Sequence, residues 1–371
     1  MKKQSVIIYI IFILTLSSIP IISTAEPNSK LIRELSIIDS FHPELSGDSY
    51  KEWHYFNFID EENNLKFFVT FLIAGNLDNQ LQSYGSIIMA YNIEDNFGGS
   101  SAPYSISEIE YSIDSPDLTI RNNYVELLPN GYKVHAEGLI LPSVEYKDSI
   151  AIPIIFDATY IPMAEPTSIF QGTIGDSYKD NMNWVSTAPA CKVIGNLIIG
   201  EEDYLLDGVQ GYHDHNWGTW SWGDNIGWDW GQGIEANNDD ADTDVGRYCI
   251  VLGRLTDSSH FSENGNRLLL WKNKHQIAVF ENVVFEYEWV TVPYTPHHYL
   301  SMITATAEDD SCNTIISTFS ISNAIPLVLC DDPQQTSCTT ILELTGTYDV
   351  SGTIDGKPIN FQAAGFAEYC Y

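Results

Sequence analysis

Apolar and polar residues alternate along most of the chain, which is the pattern of β-strands that bury one face. In residues 52–58, Trp53 and Tyr55 point to one face while His54 and Phe56 point to the other. Gly, Asn, Asp and Pro separate such runs at hairpin spacing. No long window has a helical period. The sequence therefore predicts an all-β protein of antiparallel strands, arranged as a sandwich or barrel.

Two series of strand-like runs are predicted around a tryptophan-rich stretch at residues 208–233. The segment 162–190 is rich in Gly, Pro, Ser and Asn and predicts a long connection, and 237–244 predicts an acidic loop. Two β domains, residues 36–218 and 219–371, are the economical interpretation. The predicted strands are residues 52–58, 66–74, 83–92, 105–114, 124–128, 133–139, 150–161, 192–199 and 204–209, followed by 247–255, 267–271, 276–280, 283–292, 299–307, 314–320, 341–350 and 359–369.

The first 25 residues have the layout of a secretory signal peptide. Two lysines precede an almost wholly apolar run at residues 6–16, and small residues at 23–25 offer a cleavage site. An uncleaved membrane anchor is the alternative, since residues 6–22 approach spanning length. Pro20 and the small residues favour cleavage. We therefore expect a secreted or extracytoplasmic protein.

The chain is strongly acidic, with 17 Lys and Arg against 50 Asp and Glu and a formal net charge of −33. Cleavage after residue 25 would remove two lysines and leave a net charge of −35. Such a surface repels nucleic acid and anionic lipid, so no nucleic-acid partner is expected. The acidic residues are scattered through turn-like surroundings. This distribution favours a solvated coat on a secreted protein over an acidic site for a cationic partner.

Six cysteines follow the predicted signal, and outside the cytosol an even number suggests disulfides. Cys330 and Cys338 bracket a turn-rich loop and are predicted to pair. Cys191 and Cys249 can instead remain free and buried. No cysteine spacing resembles a zinc site.

The tryptophan-rich stretch places Asp214 between His213 and His215, beside five of the nine tryptophans. Rings that exclude water raise the pKa of a buried carboxyl group, and aromatic faces can stabilise a developing cation. In a strand, the two histidines face one side and Asp214 faces the other. Asp214 can equally accept hydrogen bonds that pin an interdomain turn. Any chemistry is nevertheless expected in this stretch.

Three segments resemble the AttH / hydroxyneurosporene synthase (CrtC) family. Residues 52–56, Glu-Trp-His-Tyr-Phe, look like its EWWYF-type opening strand. Residues 211–218, GYHDHNWG, resemble its GYxDHxWG signature, and Trp230-Gly231 matches a following Trp-Gly pair. Residues 365–369, GFAEY, resemble its closing G-Y-x-E strand. The octapeptide is the most specific of the three, and together they span most of the chain in the order of the family.

The resemblance implies two lipocalin-like antiparallel β-barrels packed together, with a site for a long apolar ligand near their junction. Relatives include carotenoid 1,2-hydratases, tocopherol-cyclase-like proteins and fungal Diels–Alderase-type cyclases, which use neither a metal nor an organic cofactor. In the hydratases an acid protonates a double bond and water captures the cation. The hydratases are expected to complete this acid site with a Tyr and an Asp on the strand after the motif. Here that strand, residues 247–255, has Tyr248 but no acidic residue.

The candidate catalytic residues are Asp214 and His215, which match the motif of the family. Glu368 is a further candidate acid if its strand turns toward the junction, although a solvated terminal position is the alternative. An isoprenoid, polyene or other lipid is the expected ligand, with transient membrane contact as an associated expectation. The candidate ligand-binding residues are Tyr212, Trp217, Trp220, Trp228, Trp230, Tyr248 and Trp53.

Other functions remain open from the sequence. A non-catalytic lipid carrier would use the same pocket without turnover, and a secreted glycan-binding or glycan-cleaving protein would use the tryptophans as a platform. A metal site would combine His213 and His215 with His297 or His298 as a third ligand. No nucleophile-elbow motif supports a serine hydrolase.

Overall fold

The structure is a computed structural model that describes residues 35–94, 96–142, 151–235, 247–291, 298–331 and 337–371. These residues form two antiparallel sheets, which confirms the predicted all-β class. The predicted signal peptide and the acidic loop predicted at 237–244 lie outside the described residues. Within the described ranges, none of the helical segments has the length and apolarity needed to cross a membrane.

The first sheet contains twelve strands, and short helical segments lie at residues 35–38, Pro43–Leu45 and Ile106–Glu108. Its strands are β1 (Tyr50–Asp60), β2 (Leu65–Gly75), β3 (Ser83–Ile93), β4 (Asn96–Ser105), β5 (Ile109–Tyr111), β6 (Leu118–Ile120), β7 (Asn123–Leu128), β8 (Gly131–Pro142), β9 (Ile152–Pro162), β10 (Thr167–Thr173), β11 (Asn181–Ile199) and β12 (Glu202–Thr219).

Part of the first sheet closes on itself as a barrel. The order β11-β12-β1-β2-β3-β4-β8 is completed by β9, which pairs with both β8 and β11. Closure by eight strands is the arrangement of lipocalins, whose interior just accommodates side chains or one small ligand. Here buried aromatic and aliphatic side chains fill most of that interior. The lumen of this barrel is therefore a packed core.

The second sheet contains nine strands in the order β16-β15-β14-β13-β21-β20-β19-β18-β17 among the described residues. A second core packs against this sheet, and a third core lies between the two sheets and includes most of the tryptophans. Its strands are β13 (Gly227–Glu235), β14 (Tyr248–Thr256), β15 (Glu263–Lys272), β16 (His275–Glu281), β17 (Val284–Thr291), β18 (His298–Glu308), β19 (Thr314–Cys330), β20 (Cys338–Ile354) and β21 (Lys357–Cys370).

The long connection predicted at residues 162–190 is wrong, because β10 and the first half of β11 occupy most of it. From Trp184 to Cys191 nearly every residue of β11 is buried, since one face meets the barrel core and the other meets the second sheet. A strand covered on both faces shows no alternation. Register shifts around Ala188 also interrupt the pairing, so Pro189 is tolerated there.

The predicted disulfide between Cys330 and Cys338 is confirmed, and it joins the facing ends of β19 and β20. Cys191, Cys249 and Cys370 are buried and free, and Cys312 is exposed and free.

Candidate functional site

The adjacent strands β1 and β12 form a wall with a different chemistry on each face. Tyr55 lies directly opposite Asp214, and both side chains point toward the second sheet. His54 lies directly opposite His215, and both point into the barrel. The alternation expected for a strand therefore separates Asp214 from its two flanking histidines.

A pair of carboxyl groups faces this wall from the second sheet. Glu343 on β20 and Glu368 on β21 are directly opposite each other in the register, and Trp230 is opposite Glu368 on the other side. Trp228 Nε1 donates a hydrogen bond of 2.5 Å to Glu368 Oε2. Tyr55 Oη lies 3.5 Å from Glu343 Oε2, across the interface between the sheets.

The two carboxyl groups hold a proton more tightly than exposed glutamates do. Burial raises the pKa of Glu343 well above its ordinary value, and the charge of Glu368 raises it further. Burial also raises the pKa of Glu368, although the hydrogen bond from Trp228 opposes the shift. Protein surrounds Glu368, yet its side chain keeps some contact with solvent, whereas Glu343 is almost fully covered. Both shifts favour the protonated form, which is the form that a general acid needs.

Asp214 lies behind this pair in a dense set of hydrogen bonds. Its Oδ2 accepts from Trp184 Nε1 at 2.9 Å and from Tyr212 Oη at 2.8 Å, and its Oδ1 accepts from Asn216 Nδ2 at 3.0 Å. Burial raises the pKa of Asp214 to about 8, against the effect of the Trp184 and Tyr212 hydrogen bonds. Asp214 is therefore predominantly protonated at neutral pH.

A narrow cavity separates the wall from the carboxyl pair. Its free volume is about 40 Å³, which is room for about one water molecule. A long apolar ligand therefore needs its walls to move apart. The lining combines aromatic rings and aliphatic groups with the two carboxyls: Trp53, Tyr55, Thr70, Leu72, Ile88, Trp222, Trp228, Leu327, Leu329, Ile341, Glu343 and Glu368.

The predicted ligand-binding residues divide into three groups. Trp53 and Trp228 line the cavity. Trp220 packs edge-on against Trp53 with ring centroids 5.5 Å apart, while Trp230 donates from Nε1 to Tyr212 Oη at 3.2 Å just behind the cavity. The other two, Trp217 and Tyr248, lie elsewhere.

Tyr248 lines a separate groove between the two sheets that shares no lining residue with the cavity. That groove measures about 490 Å³ and has an apolar wall formed by residues such as Ile161 and Met163. Lys192 and Lys274 are among the four basic side chains along it. In so acidic a chain, this groove is a local concentration of basic groups.

Trp217 and His215 lie on the barrel side of the wall. Trp217 stacks on His42, with parallel rings whose centroids are 4.0 Å apart. His215 Nε2 lies 2.8 Å from Glu52 Oε1, and His215 Nδ1 lies 3.2 Å from Asp39 Oδ1. The structure thus brings His215 and Trp217 together, but separates both from the carboxyl pair.

The barrel interior holds a compact group of buried histidines and carboxylates around Asp39. Burial would raise the pKa of Asp39, but the nearby His213 and His54 outweigh it and lower that pKa well below its ordinary range. Burial would likewise raise the pKa of Glu52, but hydrogen bonds with His215 and His42 lower it to about 2. His215 has its pKa raised to about 9 by these carboxylates, against the opposing effect of burial.

The third metal ligand proposed from the sequence is not part of this group. His298 is exposed at the start of β18 in the second sheet, where it pairs with Thr291 Oγ1 at 3.0 Å. His297 lies outside the described residues. Asp257, which follows the strand after the motif, accepts hydrogen bonds from nearby backbone amides in a turn.

Sequence reasoning missed three site residues. Glu343 carried no signal, because only the register of β20 with β21 shows that it faces Glu368. Asp39 lies before the first strand and 174 positions from its partner His213. Glu52 was not among the candidate site residues, whereas the structure buries it fully. The one signal that could have indicated Glu52 was its acidic side chain in a strand whose two faces alternate strictly.

No protein-family model matches the chain, and no curated protein sequence matches it significantly. Solved structures do match. A protein assigned as AttH from Nitrosomonas europaea is 14% identical, with a TM-score of 0.58 over 90% of this chain and 95% of that one. Kievitone hydratase from Nectria haematococca is 16% identical, with a TM-score of 0.55 over 90% of this chain and 94% of that one. CghA is 10% identical, with a TM-score of 0.51 over 87% of this chain and 88% of that one.

These likenesses concern the fold. The chain has the architecture of AttH-like proteins over nearly its whole described length, so the resemblance predicted from the three motifs is confirmed at that level.

Proposed function

We propose that this chain is an enzyme that protonates an alkene in a long apolar molecule, an isoprenoid, polyene or other lipid, and thereby hydrates or cyclises it. The observation that carries the proposal is the Glu343–Glu368 pair, whose raised pKa values favour the protonated form in an aromatic cavity between the sheets. Kievitone hydratase shares the fold, and its name describes a hydration. That likeness supports the reaction class only through the common architecture.

The proposed first step is transfer of a proton from the carboxyl pair to one alkene carbon. The π electrons form the new C–H bond, the second carbon becomes a carbocation, and the pair acquires a negative charge. Both carboxyl groups line the cavity, and Glu368 is the better placed donor because its side chain is partly exposed, while Glu343 is almost fully covered and can return a proton. General acid catalysis of this kind contributes about 10²–10⁴-fold.

The cation is then stabilised by the ring faces of the cavity. Trp53, Trp222 and Trp228 lie within 6.5 Å of one another, measured between ring centroids. Their quadrupoles favour a positive charge that is shielded from water. Water addition followed by loss of a proton to the carboxylate gives an alcohol, whereas attack by a second double bond followed by the same proton loss gives a ring.

Asp214 is assigned a supporting role. It connects to the cavity through Tyr212 and Trp230, and its neutral form at neutral pH leaves the carboxyl pair without a further buried negative charge. His215 and Trp217 take no part in the proposed reaction, because they lie across the wall.

The test is incubation of the purified chain with prenyl and polyene compounds in deuterated, oxygen-labelled water. A hydratase adds one deuterium and one labelled oxygen to its product, and a cyclase produces an isomer with a new ring. Glu368→Gln should abolish turnover while ligand affinity is retained, whereas the exposed control Glu281→Gln should have no effect. Binding without turnover in the unmodified protein would refute the catalytic proposal.

A second candidate function is binding of an amphipathic anion without catalysis. It is favoured by the groove of about 490 Å³, whose apolar wall and lysines suit an alkyl chain with a negatively charged head. A carrier of this kind would bind fatty acids competitively at the groove, and Lys192→Glu would weaken binding.

We also propose that the protein is secreted, which the signal-like layout of residues 1–25 supports. Determination of the N-terminal residue of the protein purified from its own cells tests this proposal.

A further inference from the structure

We propose that Asp39, His54, His213 and His215, hereafter the Asp39 cluster, bind one divalent transition-metal ion with a structural role. All four side chains are buried inside the first barrel, at 0% exposure. Candidate ligand atoms of Asp39, His54 and His213 all lie within 4.8 Å of one another. The cluster is on the opposite face of β1 and β12 from the carboxyl pair, so the inference is independent of the proposed reaction.

The tautomer of His213 leaves a nitrogen lone pair directed at Asp39. His213 Nδ1 lies 2.9 Å from the backbone carbonyl oxygen of Tyr55, and a carbonyl can only accept, so Nδ1 carries the proton. In the neutral ring Nε2 is therefore unprotonated, and it lies 3.0 Å from Asp39 Oδ2. Two acceptors at this distance require a positive charge that both can share. A shared proton or a metal ion supplies it, and backbone carbonyls commonly orient metal-binding histidines in this way.

His215 has a similar arrangement, but here Nε2 makes the orienting hydrogen bond and Nδ1 faces Asp39. Its Nε2 lies 2.8 Å from Glu52 Oε1, which as a carboxylate accepts the proton of Nε2. Release of the Nδ1 proton as the ion binds would free this nitrogen, which lies 3.2 Å from Asp39 Oδ1 and makes no hydrogen bond of acceptable geometry to a described residue. A carboxylate behind a metal-binding imidazole fixes its orientation and increases its basicity.

Of the three histidines, His54 most clearly lacks hydrogen-bond partners for its ring nitrogens among the described residues. In the part of the chain that the structure describes, neither ring nitrogen has a hydrogen-bond partner, although the ring is completely buried. Its Nδ1 lies 3.5 Å from Asp39 Oδ1, which is too far for an effective hydrogen bond. A buried polar group without a partner costs roughly 1–3 kcal/mol. Coordination by His54 would remove that cost.

Three oxygen–nitrogen separations within the cluster, measured from both oxygens of Asp39, are close to the spacing of ligands in a tetrahedral coordination sphere. Zinc–nitrogen and zinc–oxygen bonds of about 2.0–2.2 Å place tetrahedral ligands ~3.3–3.5 Å apart. The distances from Asp39 oxygens to His213, His215 and His54 nitrogens are 3.0, 3.2 and 3.5 Å. Small side-chain movements would therefore accommodate the ion.

Charge and ligand type define the class of ion. Asp39 and Glu52 bring two buried carboxylates, and a divalent cation held by neutral imidazoles balances them. Imidazole nitrogens favour zinc and its first-row neighbours over magnesium or calcium. Four protein ligands leave no open position, which is typical of structural sites. The ion would attach residues 35–42, which precede the first strand, to the barrel interior.

The experiment is metal analysis of the purified full chain after incubation with zinc and removal of the excess. We expect about one tightly held zinc ion per chain and a higher melting temperature than in chelator-treated protein. Cobalt substituted for zinc should give the intense visible absorption bands of a tetrahedral site. Absence of stoichiometric zinc and cobalt binding would overturn the inference, and so would two equally tight ions per chain.

Variants locate the site. His54→Gln and Asp39→Asn should each weaken zinc binding by at least about 100-fold, with folding checked by circular dichroism. The matched control is His275→Gln, because His275 is an exposed histidine that also lies 2.9 Å from a carboxylate, that of Glu165. Equal weakening in the control would show surface binding and contradict the assignment. If either cluster variant fails to fold, the stoichiometry and cobalt spectrum of the unmodified chain decide the question.

Discussion

Asp214 and His215 are joined by a peptide bond, yet their side chains belong to different sites. Asp214 accepts from Trp184 and Tyr212 on the side of the second sheet, whereas His215 contacts Asp39 and Glu52 inside the barrel. The strand geometry of β12 enforces this separation. Substitutions at the two positions should consequently have different effects, and His215 variants report on the barrel.

Glu343→Gln should make the stability of the protein less sensitive to pH. A carboxyl whose pKa is raised by folding binds more protons in the folded state, so stability is full below its ordinary pKa and falls as pH rises toward the raised value. The slope in this window is up to ~1.4 kcal/mol per pH unit for each such group. Urea unfolding from pH 5 upward measures it.

The control for this experiment is Glu281→Gln, which removes an exposed carboxylate from the same sheet. It should leave the slope unchanged. An identical slope in the Glu343→Gln and unmodified proteins would mean that Glu343 is ionised throughout the range.

Asp214→Asn should be much less destabilising than Asp214→Leu. At neutral pH Asp214 is predominantly protonated, so an amide of the same shape preserves most of its hydrogen bonds. Leucine leaves the Trp184 and Tyr212 donors buried without an acceptor, and each unsatisfied donor lowers the free energy of unfolding by roughly 1–3 kcal/mol. Chemical denaturation at pH 7 compares the two variants. Equal losses would indicate that the negative charge of Asp214 is what the site requires.

Gly218→Ala should strongly destabilise the first sheet. A Cβ at this position would lie 2.0 Å from the backbone oxygen of Asn181, so the β11–β12 pairing has to move. Gly172→Ala is the matched control, because nothing lies within 4 Å of its added Cβ. We expect Gly218→Ala to lower the free energy of unfolding by about 1–3 kcal/mol or more. Gly172→Ala should change it by less than about 1 kcal/mol. Thermal unfolding distinguishes them, and comparable losses would contradict the argument.

Phe41→Ala should loosen the segment that precedes β1. Phe41 is 3% exposed and packs edge-on against His54, with ring centroids 4.8 Å apart. Loss of a buried phenylalanine costs about 3–5 kcal/mol. Phe261→Ala, at a position that is 94% exposed, provides the control. Hydrogen exchange at residues 35–42 should accelerate only in the Phe41 variant, and unchanged protection would show that this contact does not hold the segment.

The fold was largely predictable because most strands bury one face and expose the other. Residues 341–350 and 359–369, for example, were predicted as strands and form the central parts of β20 and β21. The exceptions include β4, β10 and β13, which were not predicted as strands, and the prediction at 105–114, where a helical turn precedes the short β5. In β11, burial on both faces removes the alternation and Pro189 suggests a break. Pairing order depends on contacts distant in sequence, so closure of the barrel by β9 was not predictable.

The candidate site was predictable only where a motif marked it. Asp214 and the tryptophans of the 208–233 stretch were identified correctly as a concentration of buried groups. The partners that determine their chemistry come from elsewhere: Glu343 and Glu368 through a register between strands, and Asp39 through a segment outside both sheets. A sequence gives the composition of each strand, but it does not give the atoms that face it across an interface.

The wall formed by β1 and β12 also restricts which sequence changes this chain can accept during evolution. Loss or gain of a single residue within β12 would reverse the orientation of every side chain beyond that point. His215 would then face the tryptophans, and Asp214 would enter the barrel among other carboxylates. Insertions and deletions should therefore be tolerated only in the connections outside this strand. Homologous sequences, once aligned, should differ here by replacement alone.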